Sequence, residues 1–179
     1  MAFFNILLGM LERPEELRIA LEKRGARNVG YGVNTASSPL RCSRARSVGC
    51  DRRKRRAGGI VVSAPDANAN LDVSILGSIL GNLLSNAVKY SPPDKPVRLE
   101  VVLEKERVTF IVRDEGIGIP EQDVGRVCEP FHRCSNVGEV PGTGLGLAIV
   151  QRCAGLHGGT LTIQSTVGSG TTAIVTLPV

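Results

Sequence analysis

Two runs, Val97–Leu103 and Arg107–Arg113, are rich in β-branched and apolar residues and stand only Glu104-Lys105-Glu106 apart. A period near two with so short a break reads as a β-hairpin. Just before it, Ile75, Leu76, Ile79, Leu80, Leu83, Leu84, Ala87 and Val88 recur at helical spacing, which predicts an amphipathic helix over 72–89. Asp72 is placed to cap that helix, and Ser91-Pro92-Pro93-Asp94 stops it. A long apolar-faced helix feeding directly into a hairpin is the strongest constraint on how this chain can fold.

The hairpin ends on Asp114-Glu115-Gly116-Ile117-Gly118-Ile119-Pro120. A carboxylate followed by two glycines at a strand end is either a plain turn or a place where backbone leaves room for a flat ligand. On the preceding helix, Asn82 and Asn86 are four residues apart and share a face. Asparagine is a mediocre helix former. The pair is therefore either two amides satisfied by nearby backbone or two oxygen ligands for a hard cation, with Lys89 in reach of a phosphate. Beyond the hairpin, Pro120-Glu121-Gln122-Asp123 begins a short helix that Glu129-Pro130-Phe131-His132-Arg133 ends. Residues 134–143 read as a mobile loop. Gly142-Thr143-Gly144-Leu145-Gly146 then runs straight into a helix lasting to about His157, and such a helix start offers backbone N–H groups to an anion. Gly158-Gly159 ends that helix, and strands at 160–164 and 171–177 follow.

The chain has 179 residues, a length that suits one domain with an extension. Aromatic residues make up only 3% and Trp is missing, so Leu, Ile and Val must fill the core. Residues 1–70 hold 13 Lys/Arg against 6 Asp/Glu, whereas 71–179 hold 9 against 11, so the basic character belongs to the first part alone. There, Arg13-Pro14-Glu15-Glu16-Leu17 can open a helix that Gly25 closes. Residues 34–58 are expected to be disordered. Arg52-Arg53-Lys54-Arg55-Arg56 reads as a solvated charge run or a phosphate contact. No aromatic within 32–59 is available to stack on bases, which weighs against nucleic acid. The five cysteines form no CxxC pair and are odd in number, which weighs against a disulfide framework and a structural zinc site. The apolar stretch 3–11 is interrupted by Asn5 and Gly9 and falls short of the ~20 residues that span a bilayer. It lacks the marks of a signal peptide, and a cytoplasmic chain without a membrane span is expected.

In order and spacing, these motifs resemble the catalytic ATP-binding domain of bacterial sensor histidine kinases, within the superfamily that includes gyrase, Hsp90 and MutL. The resemblance covers 71–179. The run Asn82-Leu83-Leu84-Ser85-Asn86-Ala87-Val88-Lys89-Tyr90-Ser91 is similar to the asparagine box, and 114–120 to the first glycine box. Glu129-Pro130-Phe131-His132-Arg133 is similar to the phenylalanine box, and 142–146 to the second glycine box. The resemblance implies a Bergerat-type α/β two-layer sandwich: a mixed, mostly antiparallel sheet with helices on one face and ATP between helices and lid. On this reading an extension (1–58) precedes the ATP-binding domain (59–179). Asp114 would accept from the adenine amino group, beside Gly116 and Gly118, and Tyr90 would pack on the base. Asn86, with Asn82, would hold Mg²⁺. Lys89 and Arg133 would offset phosphate charge. Gly142, Thr143, Gly144, Leu145 and Gly146 would carry the phosphates.

Two departures sharpen the expectation. Hydrolysing relatives carry a glutamate at the first box position, where this chain has Asn82. An amide has no useful basicity near neutral pH, so the site suits phosphoryl transfer to an acceptor better than hydrolysis. The chain's two histidines, His132 and His157, both lie inside the resemblance and read as structural or lid residues. The phosphoacceptor histidine is therefore expected on another chain, and the partners are a histidine-bearing dimerisation domain or a response regulator. The alternative is a non-enzymatic ATP-binding module that sequesters a protein partner, as anti-sigma proteins do. Cys128 and Cys134 replace an apolar residue and a glycine around the phenylalanine box, changes that leave nucleotide binding possible but bear on the lid.

Overall fold

The computed structural model describes residues 60–63 and 71–179. The expected helix from Arg13 to Gly25, the disordered stretch 34–58, the basic run at 52–56 and the domain boundary near 59 lie outside the described residues.

Helix α1 (Val73–Tyr90) starts where the sequence puts its cap. Asp72 Oδ1 accepts from the N–H groups of Ser74 at 2.8 Å and Ile75 at 3.1 Å, satisfying two donors of the first turn. The apolar stripe faces inward: Leu76, Ile79, Leu80, Leu83, Leu84 and Val88 are all buried.

Five strands form one sheet. In chain order they are β1 (Ile60–Ser63), β2 (Val97–Leu103), β3 (Arg107–Arg113), β4 (Thr160–Thr166) and β5 (Gly170–Pro178), and their spatial order is β1-β2-β3-β5-β4. β1 runs parallel to β2; every other pair is antiparallel. The hairpin β2–β3 is the one read from the sequence, with Leu103 opposite Val108 and Arg98 opposite Arg113. The last two strands are each longer than their apolar runs suggest. Ser165 pairs with Thr171 and Thr166 with Gly170, so the ladder continues through hydroxyl residues that resemble loop.

One face of the sheet is buried and the other is wet. Along β2, Val97, Leu99 and Val101 point to the core while Arg98, Glu100 and Val102 face out. Helix α3 (Gly146–Leu156) lies with α1 over the buried face, and the result is the expected two-layer α/β sandwich. Phe110 is fully buried among Leu, Ile and Val side chains, so an aromatic-poor chain still closes its core. His157 ties the two helices together: its Nε2 accepts from the Asp72 N–H at 3.2 Å. This is the structural role the sequence assigned it. Helix α2 (Glu121–Val124) is shorter than expected, because turns around Gly125 and Arg126 replace it well before Glu129.

Candidate functional site

A cavity of roughly 490 Å³ opens between α1, the sheet and the loop that leads into α3. Its floor is set by Asp114, delivered by the end of β3. The Asp114 Oδ1 accepts from the Gly116 N–H at 2.8 Å and from the Thr171 N–H at 3.3 Å, and the Ser91 hydroxyl also bonds to the carboxylate. Burial pushes its pKa above the ordinary aspartate value, and those hydrogen bonds pull it partway back. Asp114 is the one carboxylate lining the cavity among the described residues.

The glycine loop is clamped from three sides. Ile117 donates to the Tyr90 carbonyl at 3.2 Å, and Gly168 in the β4–β5 turn donates to the Ile117 carbonyl at 2.9 Å. Ile119 donates to Ser165 Oγ at 2.9 Å, and Asn136 Nδ2 donates to the Gly118 carbonyl at 2.9 Å. Gly118 has φ +68°, and a Cβ there would run into the Thr166 carbonyl. Glycine is required at this point, because the loop presses on the last hairpin in a left-handed conformation. Gly118 lines the cavity; Gly116 lies just behind the lining, against Asp114 and Tyr90.

On α1, the amide of Asn82 donates back to the Ser78 carbonyl at 2.8 Å, which fixes the direction of its oxygen. A Cβ added to Gly146 would stand 3.2 Å from Asn82 Oδ1, 3.2 Å from Asn86 Nδ2 and 3.6 Å from Asn86 Oδ1. Gly146 thus leaves a small cradle bordered by both amides, with the Asn82 oxygen and the Asn86 nitrogen nearest. One turn further on, the Lys89 ammonium sits 4.9 Å above the Tyr90 ring, a cation–π contact at the cavity wall. Lys89 also faces Gly142, where any side chain would collide with its Nζ.

Helix α3 begins at the cavity without a side-chain cap, since its N-cap residue is Leu145. Its first N–H groups are therefore donors in search of an acceptor, and Gly146 and Leu147 face the cavity. Thr143 and Gly144 line the approach, whereas Leu145 does not. The Thr143 hydroxyl accepts from Leu145 N–H at 3.4 Å, and Gly144 accepts from Phe131 N–H at 3.1 Å.

Arg133 lines the cavity, but its guanidinium is engaged with the loop itself. It donates to the carbonyls of Gly142 (2.7 Å), Val140 (2.8 Å) and Gly138 (3.2 Å). The residue expected to meet phosphate thus also fixes the shape of the lid. Phe131 stands 74% exposed with φ 65°.

Sequence reasoning missed Thr171 as a partner of Asp114. No local signal marks it; only the pairing of β3 with β5 brings it there. It also missed a cluster below the lid. Asp123 is buried, its Oδ2 accepts from Ser135 N–H at 3.0 Å and Ser135 Oγ at 3.1 Å, and its Oδ1 lies 3.4 Å from His132 Nε2. The Ser135 N–H is the main reason its carboxyl titrates below the usual range. Burial, with the Asp123 charge adding to it, raises the nearby Cys134 thiol above its usual value.

Residues 71–179 match the family model described as histidine kinase-, DNA gyrase B-, and HSP90-like ATPase. The sensor histidine kinase WalK of Bacillus subtilis is 41% identical over 117 residues, covering 63% of this chain and 19% of that protein. The circadian input-output histidine kinase CikA of Synechococcus elongatus is 44% identical over 109 residues, covering 60% and 14%. The chain thus spans about a fifth or less of the length of these curated relatives. The structure of a mycobacterial sensor histidine kinase, MprB, superposes with a TM-score of 0.67 at 24% identity, covering 99% of this chain and 96% of that one. At that identity the likeness speaks for the fold.

Proposed function

From the premise that this chain belongs to the histidine kinase-, DNA gyrase B- and HSP90-like ATPase family, and so carries an ATP-binding domain, we propose that it transfers the γ-phosphate of ATP to a histidine supplied by another domain or chain. The observation that carries this reading is the position of the cavity's one carboxylate among the described residues. Asp114 lies on the floor, held by Gly116 and Thr171, and the position nearest the α3 N-terminus has Asn82 instead. A site that hydrolyses ATP needs a base beside the attacking water; an amide cannot serve as one.

The adenine amino group donates to Asp114, and the Tyr90 ring packs on the base. The triphosphate extends toward the α3 N-terminus, where unpaired N–H groups and the glycines at 142, 144 and 146 receive it. Lys89 offsets charge at the phosphates, and Arg133 keeps the lid in register over them. Phosphoryl transfer asks mainly for such positioning and charge stabilisation.

Magnesium fits the residues present. The cradle at Gly146 is bordered by two neutral amides, each with an oxygen within 3.6 Å of a Cβ placed there, and Mg²⁺ takes few protein ligands beside phosphate and water. Asn86 and Asn82 would hold it, and when bound it would neutralise charge on the phosphates. No helix among the described residues is long and apolar enough to cross a membrane; a cytoplasmic location, where ATP is supplied, is part of this reading.

The test is transfer. The protein is incubated with γ-labelled ATP and a separately supplied dimerisation domain that bears a phosphoacceptor histidine. Acid-labile label on that domain is the expected result. Nucleotide bound without any transfer would overturn the kinase reading and leave an ATP-dependent partner-binding module.

A further inference from the structure

We propose that Asp123, His132 and Cys134 form a binding site for a thiophilic divalent cation, zinc being the ion that the donor set selects, at the root of the lid. The site is built from other residues than the amides of Asn82 and Asn86, although two of its ligands line the same cavity.

Geometry comes first. One carboxylate oxygen, one imidazole nitrogen and one sulfur lie within 4.8 Å of one another. A tetrahedral ion with bonds of about 2.0–2.3 Å sets its ligands roughly 3.3–3.8 Å apart. His132 Nε2 and Asp123 Oδ1 already stand at 3.4 Å, the length of one edge of such a site. The sulfur has to close by at most about 1–1.5 Å to complete the triangle, a shift within reach of a side-chain rotation.

The state of each ligand points the same way. His132 Nε2 is buried and lies in ion-pair range of Asp123 Oδ1, at 3.4 Å, without a hydrogen bond of ordinary geometry. A metal between the two would give the nitrogen the bond that buried polar atoms ordinarily have. The Asp123 carboxylate is already aimed, because Ser135 holds Oδ2 through both its N–H and its hydroxyl and leaves Oδ1 toward His132. Outer hydrogen bonds of this kind orient metal-binding carboxylates. Cys134 contributes the sulfur. When the ion binds, the metal–sulfur bond replaces the S–H bond and the thiol proton passes to solvent.

Ligand softness decides the ion. Thiolate with imidazole and carboxylate suits zinc or cobalt, whereas Mg²⁺ and Ca²⁺ take oxygen. The absence of a CxxC pair excludes a ribbon-type zinc site, but here the ligands are His-x-Cys plus an aspartate nine residues earlier. His132 and Cys134 line the cavity, so the fourth coordination position opens toward it. They also flank Arg133, whose guanidinium gathers the lid carbonyls. An ion here would fasten the lid to α2.

The test uses the full chain with its thiols reduced and reductant removed. Alkylation of each cysteine is followed by peptide mass spectrometry with and without zinc. Zinc is expected to slow Cys134 by roughly tenfold or more while leaving Cys128 and Cys153 unchanged, and His132→Gln should weaken the metal's affinity by about tenfold or more. Should that variant unfold, Asp123→Asn is read in its place. In parallel, Co²⁺ should give a thiolate-to-cobalt charge-transfer band with one equivalent, bleached by zinc. A Cys134 rate indifferent to zinc, or a cobalt band that persists unaltered in Cys134→Ser, would overturn the proposal.

Discussion

Asp114 and Thr171 are bonded to each other twice: the Asp114 N–H donates to the Thr171 carbonyl at 2.9 Å, and the Thr171 N–H points back at Asp114 Oδ1 at 3.3 Å. The floor of the nucleotide cavity is therefore a piece of β-ladder that ends in a carboxylate. The carboxylate cannot swing away without giving up its bonds from the Gly116 and Thr171 N–H groups.

That doubled contact makes Asp114→Asn a clean probe. The asparagine oxygen can keep the bonds to Gly116 and Thr171, so the fold should hold. Its NH₂ then meets the adenine amino group, donor against donor. ATP affinity is expected to fall by at least about tenfold, on the order of 1.4 kcal/mol or more, with melting temperature little changed. Calorimetric titration beside a thermal melt checks both.

The same carboxyl predicts a pH effect. Its pKa is raised by burial above the ordinary aspartate value, so the native state binds this proton more tightly than the unfolded chain does. Stability from this group is then greatest at low pH and declines as pH rises through the window between the two pKa values. Nucleotide binding runs the other way, since protonation removes the acceptor: affinity should begin to fall on acidification at a pH above that of an ordinary aspartate. The wild-type profile minus that of Asp114→Asn isolates the group from the titration of the phosphates. Coincident profiles would rule the assignment out.

Asn86→Ala separates metal from base. Asn86 stands beside the Gly146 cradle on α1, whereas the carboxylate of the floor comes from the end of β3. Affinity for Mg²⁺–ATP should drop by about tenfold (~1.4 kcal/mol), while affinity measured in EDTA stays within a factor of about two. Equal losses in both conditions would remove the metal role.

Arg133→Lys tests the lid. A lysine has one point charge and cannot span the carbonyls of Gly138, Val140 and Gly142 as the planar guanidinium does. Amide exchange across 136–143 should speed by roughly tenfold or more, with the sheet unaffected. Unchanged exchange in that segment would mean that the three bonds do not hold it.

Gly118→Ala is expected to be a severely damaging small change. It asks for φ +68° with a side chain that collides with the Thr166 carbonyl. A loss of about 2–4 kcal/mol follows from strain and collision together, and the melting temperature should fall by roughly 10 °C or more. A melt within a few degrees of wild type would contradict the tight approach of loop to hairpin.

Much of this was legible because the strongest patterns are local. Asp72, the stripe from Leu76 to Val88 and the prolines at 92 and 93 mark α1 within one residue. The hairpin β2–β3 matches its apolar runs end for end. Less was legible where pairing, not composition, decides. Ser165, Thr166 and Gly170 look like loop but extend the β4–β5 ladder, because their backbone bonds and the Ser165–Thr171 hydroxyl contact do not need apolar side chains. The site followed the same rule. Asn82, Asn86, Lys89 and Tyr90 share one helix and are brought to one wall. Thr171 reaches Asp114 from 57 positions away, and Arg133's grip on lid carbonyls depends on a loop path that no periodicity reveals.

The strand order has a consequence for how the cavity comes into being. β5 is threaded between β3 and β4, in the interior of the sheet. Any fragment ending before Gly170 would leave β3 with a bare edge and Asp114 without its partner. Contacts between strands so far apart in sequence are slow to form, since the chain must close a long loop first. The cavity floor therefore depends on β5 having docked beside β3, and a formed pocket reports that this long-range pairing is in place.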